Sequence, residues 1–189
     1  MSLKDFQERI RASTPPVLAG EYLLAPTAHV FESPESYSTF RGKVSALFGA
    51  TETIAVVGSG NWKFSLNPEK SFRKFGQHSD IDVAVISRDL FNGFWEEMRF
   101  QHRAHFYQLP FDYRERLRRN SEKVYAGFIS PNWIPNRNPR TAYEYKRNLD
   151  SLSDRHVQFL KVKMMFFKNF DEATDYYARG FRMAQRATT

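Results

Sequence analysis

The chain contains no cysteine. That removes disulfides, thiolate metal sites, cysteine nucleophiles and cysteine-type zinc centres together, and it agrees with a reducing cytosol. Long apolar runs are missing too, since nowhere do roughly 18 apolar residues follow one another as a membrane span requires. In the first thirty residues Lys4, Asp5, Glu8, Arg9 and Arg11 interrupt scattered apolar side chains, which excludes a secretory apolar core there. These absences predict a cytoplasmic protein with no membrane association. Negative charge is in short supply: Asp and Glu number 21 against 28 Lys and Arg, giving a formal charge of +7 and an isoelectric point near 9.7. The imbalance favours an anionic partner such as a nucleoside triphosphate, RNA or DNA, with a merely basic, soluble surface as the alternative.

Core material is plentiful. With 189 residues, 41% of them hydrophobic and 16% aromatic, the chain can fill one α/β or α+β domain. No repeat, low-complexity tract or linker divides it, so residues 1–189 are expected to form a single domain. Residues 1–50 read as an N-terminal helical extension and residues 61–79 as a basic insertion loop.

Periodicity places the elements. Residues 2–11 suit a short amphipathic helix, with Phe6 and Ile10 four apart, ended by Pro15 and Pro16. The segment from about 17 to 32 is ambiguous. A helix then opens with Ser33 as N-cap and Pro34 at its first position, and it stops at Gly49; Phe40, Val44, Leu47 and Phe48 are expected on its core side. Thr53–Val57 and Ile81–Ile86 read as buried strands, and Arg88 to about Tyr107 and Tyr113–Ala126 as helices. The prolines of "GFISPNWIPNRNPR" restrict it to a loop or short edge strand. Ala142–Leu152 is predicted helical, His156–Phe167 a third long strand, and a final helix opens with Asp171 and Glu172 at its positive end. This order predicts an α/β (α+β) fold, a small mixed sheet with helices packed on it.

The chemistry concentrates in "SDIDVAVI". Side chains two apart on a strand share a face, so Asp80 and Asp82 emerge together at the head of an apolar strand. Two such carboxylates repel. A divalent cation resolves the repulsion, and hard oxygen ligands in small number suit Mg²⁺ or Mn²⁺ bound jointly with substrate phosphates. A solvated strand entrance with Asp80 as a turn residue is the plainer alternative. Upstream, Gly58, Ser59 and Gly60 leave the preceding strand in a turn whose backbone N–H groups can approach a phosphate, with a tight strand exit that simply needs glycine as the alternative.

Taken together, "VVGSG … SDIDVAVI" resembles the nucleotidyltransferase superfamily of the DNA polymerase β type. Gly58 and Ser59 match its Gly-Ser element, Asp80 and Asp82 its metal-binding acids, and Ile54–Val57 with Ile81, Val83 and Val85 its two strands. The resemblance implies that Gly58 and Ser59 contact a triphosphate. It implies too that Asp80 and Asp82 hold catalytic metals, Mg²⁺ or Mn²⁺, for transfer of a nucleoside monophosphate from an NTP to a hydroxyl acceptor on a nucleic acid such as RNA, a protein or a small molecule.

The spacer is about twice the family's usual length. It supplies Lys63, Lys70, Arg73 and Lys74 as a basic flap for triphosphate or nucleic acid, with a solvated surface loop as the alternative. Lys161 and Lys163 replace the family's third carboxylate on the later strand, and Lys163 is counted with the nucleotide-binding residues. Asp112, Glu144, Asp150 and Asp154 are the remaining acids that could serve as a third ligand. The missing acid leaves a second class open: a weakly active or inactive nucleotide- or RNA-binding protein of this fold, of toxin–antitoxin or phage-defence type. The basic helix around Arg114–Lys123 reads as a solvated face, with a sequence-specific DNA-binding helix as the alternative; His102 and His105 share a helical face that could bind metal but have no further ligand in view; and Tyr176, Tyr177 and Phe181 read as core packing with base stacking as the alternative.

Overall fold

Four apolar runs pair into one sheet. The computed structural model describes residues 1–49, 51–135 and 138–188. Its strands are β1 (Thr53–Val57), β2 (Ile81–Ile86), β3 (Phe128–Ile129) and β4 (Val162–Phe167), in the order β1-β2-β4-β3. β1 runs antiparallel to β2, β2 parallel to β4, and β3 antiparallel to β4. Around them lie α1 (Leu3–Ala12), α2 (Pro15–Leu24), α3 (Pro34–Phe48), α4 (Ser59–Trp62), α5 (Arg88–His105), α6 (Phe111–Tyr125), α7 (Pro139–Leu152) and α8 (Phe170–Arg186). The chain is thus a mixed α/β fold with helices packed on a small mixed sheet.

Alternation along the strands divides the core in two. Ile54, Val56, Ile81, Val83, Val85, Met164 and Phe166 face one way, against side chains of α3, α5, α6 and α7. Ala55, Val57, Ala84, Ile86 and Phe167 face the other, against α1, α2 and α8. Because both faces are covered, β2 is buried from Val83 to Ile86 and its sequence reads as an unbroken apolar run.

Local capping sets several boundaries. Ser2 and Asp5 form a reciprocal capping box on α1, Ser33 caps α3 through the Ser36 N–H, and Asn169 accepts from the Glu172 N–H to open α8. Phe6 and Ile10 are buried as their spacing predicts, and so are Phe40 and Val44.

Two expectations need correction, and the one about Pro15 and Pro16 is extended. Pro15 and Pro16 do not simply end α1: Pro15 sits at the first position of α2, where its missing N–H costs nothing, and that helix occupies much of the ambiguous segment. Leu47 points outward rather than into the core. The third long strand starts at Val162, because Arg155–Val157 make a 3₁₀ turn and Gln158 and Phe159 follow at positive φ, which no strand accommodates. Lys161 therefore precedes β4, and Lys163 lies on it. The proline-rich segment does contribute a two-residue edge strand, β3; its Asn136 and Arg137, like Ala50 of the N-terminal segment, lie outside the described residues.

At the other edge, β1 is tied to α3. The fully buried Tyr37 hydroxyl accepts a hydrogen bond from the Val56 N–H at 2.9 Å, on the side of β1 away from β2. Replacing Tyr37 with Phe leaves that buried N–H without a partner, so Tyr37→Phe should lower unfolding stability by about 1–3 kcal/mol, read as a lower midpoint with unchanged slope in urea denaturation.

Candidate functional site

The end of β1 and the starts of the parallel strands β2 and β4 meet at one margin of the sheet. In register, Asp82 stands between Val57 of β1 and Lys163 of β4. Asp82 shares its strand face with Ala84 and Ile86, so its carboxyl emerges on the side covered by α8. Asp80 sits one residue before β2, and the Lys163 ammonium reaches its Oδ2 at 2.5 Å. The positive partner demanded by two neighbouring carboxylates is, within the protein, a lysine.

Gly58 makes the close approach possible. It adopts φ +67°, which favours glycine, and a Cβ placed there would lie 3.3 Å from Asp82 Oδ2. The backbone thus turns directly against the carboxylate. Asn61, itself buried, holds the turn by donating from its amide to the Val56 carbonyl at 2.7 Å and the Tyr22 carbonyl at 2.9 Å. Those two bonds fasten the Gly58–Trp62 turn to the end of β1 and to α2. Nothing in the Gly-Ser-Gly pattern alone announces this anchor.

Burial dominates the electrostatics of Asp82. Desolvation raises its pKa to about 6 from an ordinary 3.8; Lys163 opposes the rise, Asp80 adds to it, and Lys70 opposes it weakly. Beside the carboxylate opens a cavity of about 670 Å³ onto which Gly58, Ser59 and Asp82 face. Lys70 from the insertion, Lys123 and Glu122 from α6 and Arg179 from α8 line the same space, with the Lys123 ammonium over the Trp133 ring at 4.5 Å. Its aromatic wall includes Trp62, Tyr176 and Tyr177. The Trp62 Nε1 and Tyr177 hydroxyl are buried without a hydrogen-bond partner in the protein, and burial, with Tyr176 and Asp82 close by, pushes the Tyr177 phenol well above its usual range. It therefore stays a proton donor.

The predicted site residues are not all brought together. Gly58, Ser59 and Asp82 share the cavity, while Asp80 and Lys163 pair with each other and do not line it. Lys63 turns away: its Nζ donates to the Met1 carbonyl at 2.6 Å and lies over the Phe64 ring. Lys74 pairs its backbone with Phe64 in an isolated bridge, and the Arg73 carbonyl accepts from the Ser65 N–H; neither residue lines the cavity. Of the flap's cations, Lys70 is the one at the acids. Lys123 and Arg179 were not legible as site residues, because helix and sheet packing, not spacing, delivers them. The spacing of Tyr176, Tyr177 and Phe181 did signal a buried face, and two of the three also wall the cavity.

Among the described residues no third acid groups with the pair, although Glu122 of α6 lines the same cavity as Asp82. Glu144 is taken by Arg140, Asp154 bonds Lys43 and His156, Asp112 lies in the exposed first turn of α6, and Asp150 lies on α7. Among the described residues no three His, Cys, Asp or Glu side chains gather as for a metal ion. Among them too, no helix is long and apolar enough to cross a membrane. No protein-family model, no curated protein and no solved structure matches the chain.

The raised pKa has a stability consequence with a definite sign. The folded state holds the Asp82 proton more tightly than the unfolded chain, so this contribution is complete below pH 3.8 and is lost as the pH rises through about 6. Asp82→Asn should therefore raise thermal stability at pH 7–8, by at most about 3 kcal/mol, and match the parent at pH 4. Melting curves across that range would check it.

Proposed function

We propose that the chain is a divergent nucleotidyltransferase of the DNA polymerase β type, transferring a nucleoside monophosphate from an NTP to a hydroxyl acceptor with the help of Mg²⁺ or Mn²⁺. The observation that carries this reading is the packing of Gly58 against the Asp82 carboxylate at the mouth of a cavity rimmed by Lys70, Lys123 and Arg179. A backbone turn, an acid pair and convergent cations together suit a polyphosphate held by a metal at one end and by ammonium and guanidinium groups along its length.

The donor set fits such an ion. Asp82 is a desolvated carboxylate whose charge is poorly compensated within the protein, and Asp80 lies next to it across a short stretch of strand. Both would hold the cation, with substrate phosphates completing its oxygen shell. When bound, a divalent ion would neutralise charge at the transferring phosphoryl group. Gly58 and Ser59 would fix the phosphates against the strand ends, and the Lys163 ammonium would have to leave Asp80 or share it.

One observation favours a second reading, a nucleotide-binding protein of the same fold with little or no turnover. Lys163 stands directly opposite Asp82 in the parallel ladder, on the strand where the resembling family carries its third acid, and it already occupies Asp80. An ammonium there can bind phosphate but cannot ligate a metal.

Incubation with each radiolabelled NTP and Mg²⁺ or Mn²⁺, with RNA, protein and small hydroxyl acceptors, separates the two. Under the first reading the wild type yields labelled product and the Asp80→Ala, Asp82→Ala double variant yields none. Metal-dependent NTP binding in calorimetry without any product would instead establish the second. Absence of both would overturn the nucleotide site altogether. Because Lys163 competes for Asp80, Lys163→Met should also tighten Mn²⁺ binding on the order of tenfold, measured by the paramagnetic signal of free Mn²⁺.

A further inference from the structure

A second cavity, of about 490 Å³, lies between α5 and α6. Neither Asp80 nor Asp82 lines it. Its wall is apolar, built from Phe91, Trp95, Met98, Leu117 and Val124, while its rim carries Arg99, His102 and Arg118. Arg99 lies over the Trp95 ring at 4.5 Å and Arg118 over Phe106 at 5.4 Å. Flat rings and guanidinium groups thus alternate at the cavity mouth.

The same alternation continues over the outer surface. Beyond the end of α5 and at the start of α6, Tyr107, Phe111 and Tyr113 are exposed, Tyr107 by 89%, and Tyr125 at the cavity is exposed by 91%. Arg114 lies over Phe111 and Arg116 over Tyr113. Over α5 and α6, residues 88–125, eight Lys and Arg stand against six Asp and Glu, and Glu115 is paired with Arg118. Arg99 has a partner in Glu96, while the cavity lining itself sets Arg99, Arg118 and Lys168 against Glu172, so the positive excess lies at the cavity.

Charge decides which partner suits this face. A second copy of the chain would set arginines against arginines, and an apolar protein partner would have to desolvate them. A duplex hides its base faces within the stack. Exposed rings separated by arginines match an unpaired strand, whose bases stack on aromatic side chains while its phosphates meet the cations. We propose that the α5–α6 face binds single-stranded nucleic acid, with one base entering the cavity beside Trp95 and the Arg99 guanidinium stacked on its ring.

Position adds a consequence. The last turn of α6 separates the two cavities: Val124, Tyr125 and Gly127 face this one, whereas Lys123 and Ala126 face the one beside Asp82. A strand lying on the α5–α6 face could pass over that turn with its end directed to the acids. The binding face itself does not depend on the nucleotidyltransferase reading.

Fluorescence anisotropy with end-labelled RNA and DNA single strands of about 15 nucleotides, and with the corresponding duplex, tests the proposal. The wild type should bind a single strand in preference to the duplex, with an affinity that falls as salt rises. Tyr107→Ala, Phe111→Ala and Tyr113→Ala combined remove only exposed rings, should leave the circular dichroism and melting temperature unchanged, and should weaken binding at least on the order of tenfold. Arg99→Ala with Arg118→Ala should flatten the salt dependence, and Trp emission should be quenched by the strand in the wild type but much less in Trp95→Phe. The Asp80→Ala, Asp82→Ala variant should bind as the wild type does, so loss of turnover and loss of this face are separately visible. The proposal is overturned if single strands show no salt-sensitive binding, if the duplex binds as well, if the three-ring variant binds undiminished, or if quenching persists without Trp95.

Discussion

A carboxylate that is largely desolvated, Asp82, sits where three strands converge, and the surroundings answer to that constraint. Gly58 must lack a side chain to let the chain turn against it, and Asn61 must anchor the turn from below. Lys163 must come from a neighbouring parallel strand to balance the adjacent Asp80. Burying such a charge with partial compensation costs stability, a cost that soluble proteins tend to retain at sites that bind or react. Placing it at the margin of the sheet, with the apolar remainder of β2 behind it, leaves both halves of the core intact.

Much of the fold could be read from the chain because its signals are local. Ser33 and Pro34 announce α3, the β-branched runs announce β1 and β2, and the prolines after Ile129 restrict β3 to an edge. The failures are local too, but they involve competing signals. Pro15 stops one helix and starts another in the same step. The segment before Val162 alternates convincingly, yet Gln158 and Phe159 take positive φ in a turn fixed by hydrogen bonds to Asp154 and Arg155.

The candidate site was legible only in its linear part. Gly58, Ser59, Asp80 and Asp82 lie on adjoining segments, so spacing and alternation suffice to join them. Lys163 was placed on the right strand, but its partnership with Asp80 depends on the parallel register between β2 and β4, which no sequence pattern specifies. Lys123 and Arg179 reach the cavity from helices on either side of a long crossover, and their meeting is a property of packing. Conversely, Lys63 and Lys74 look equivalent to Lys70 in sequence. The turn at Lys63, with φ +81°, sends its side chain toward the amino terminus instead.

The bond between Tyr37 and Val56 bears on more than the cohesion of α3 and β1. β1 is an outer strand, and an outer strand with free N–H groups is a template on which another chain can extend the sheet. By occupying the Val56 donor with a phenol from a covering helix, the protein removes one rung from that template in the middle of its most apolar stretch. β3 protects the opposite margin differently, by being only two residues long before Pro131 interrupts it. Both outer strands are thus closed to further pairing by their own surroundings, which leaves the strand ends around Asp82 as the accessible part of the sheet.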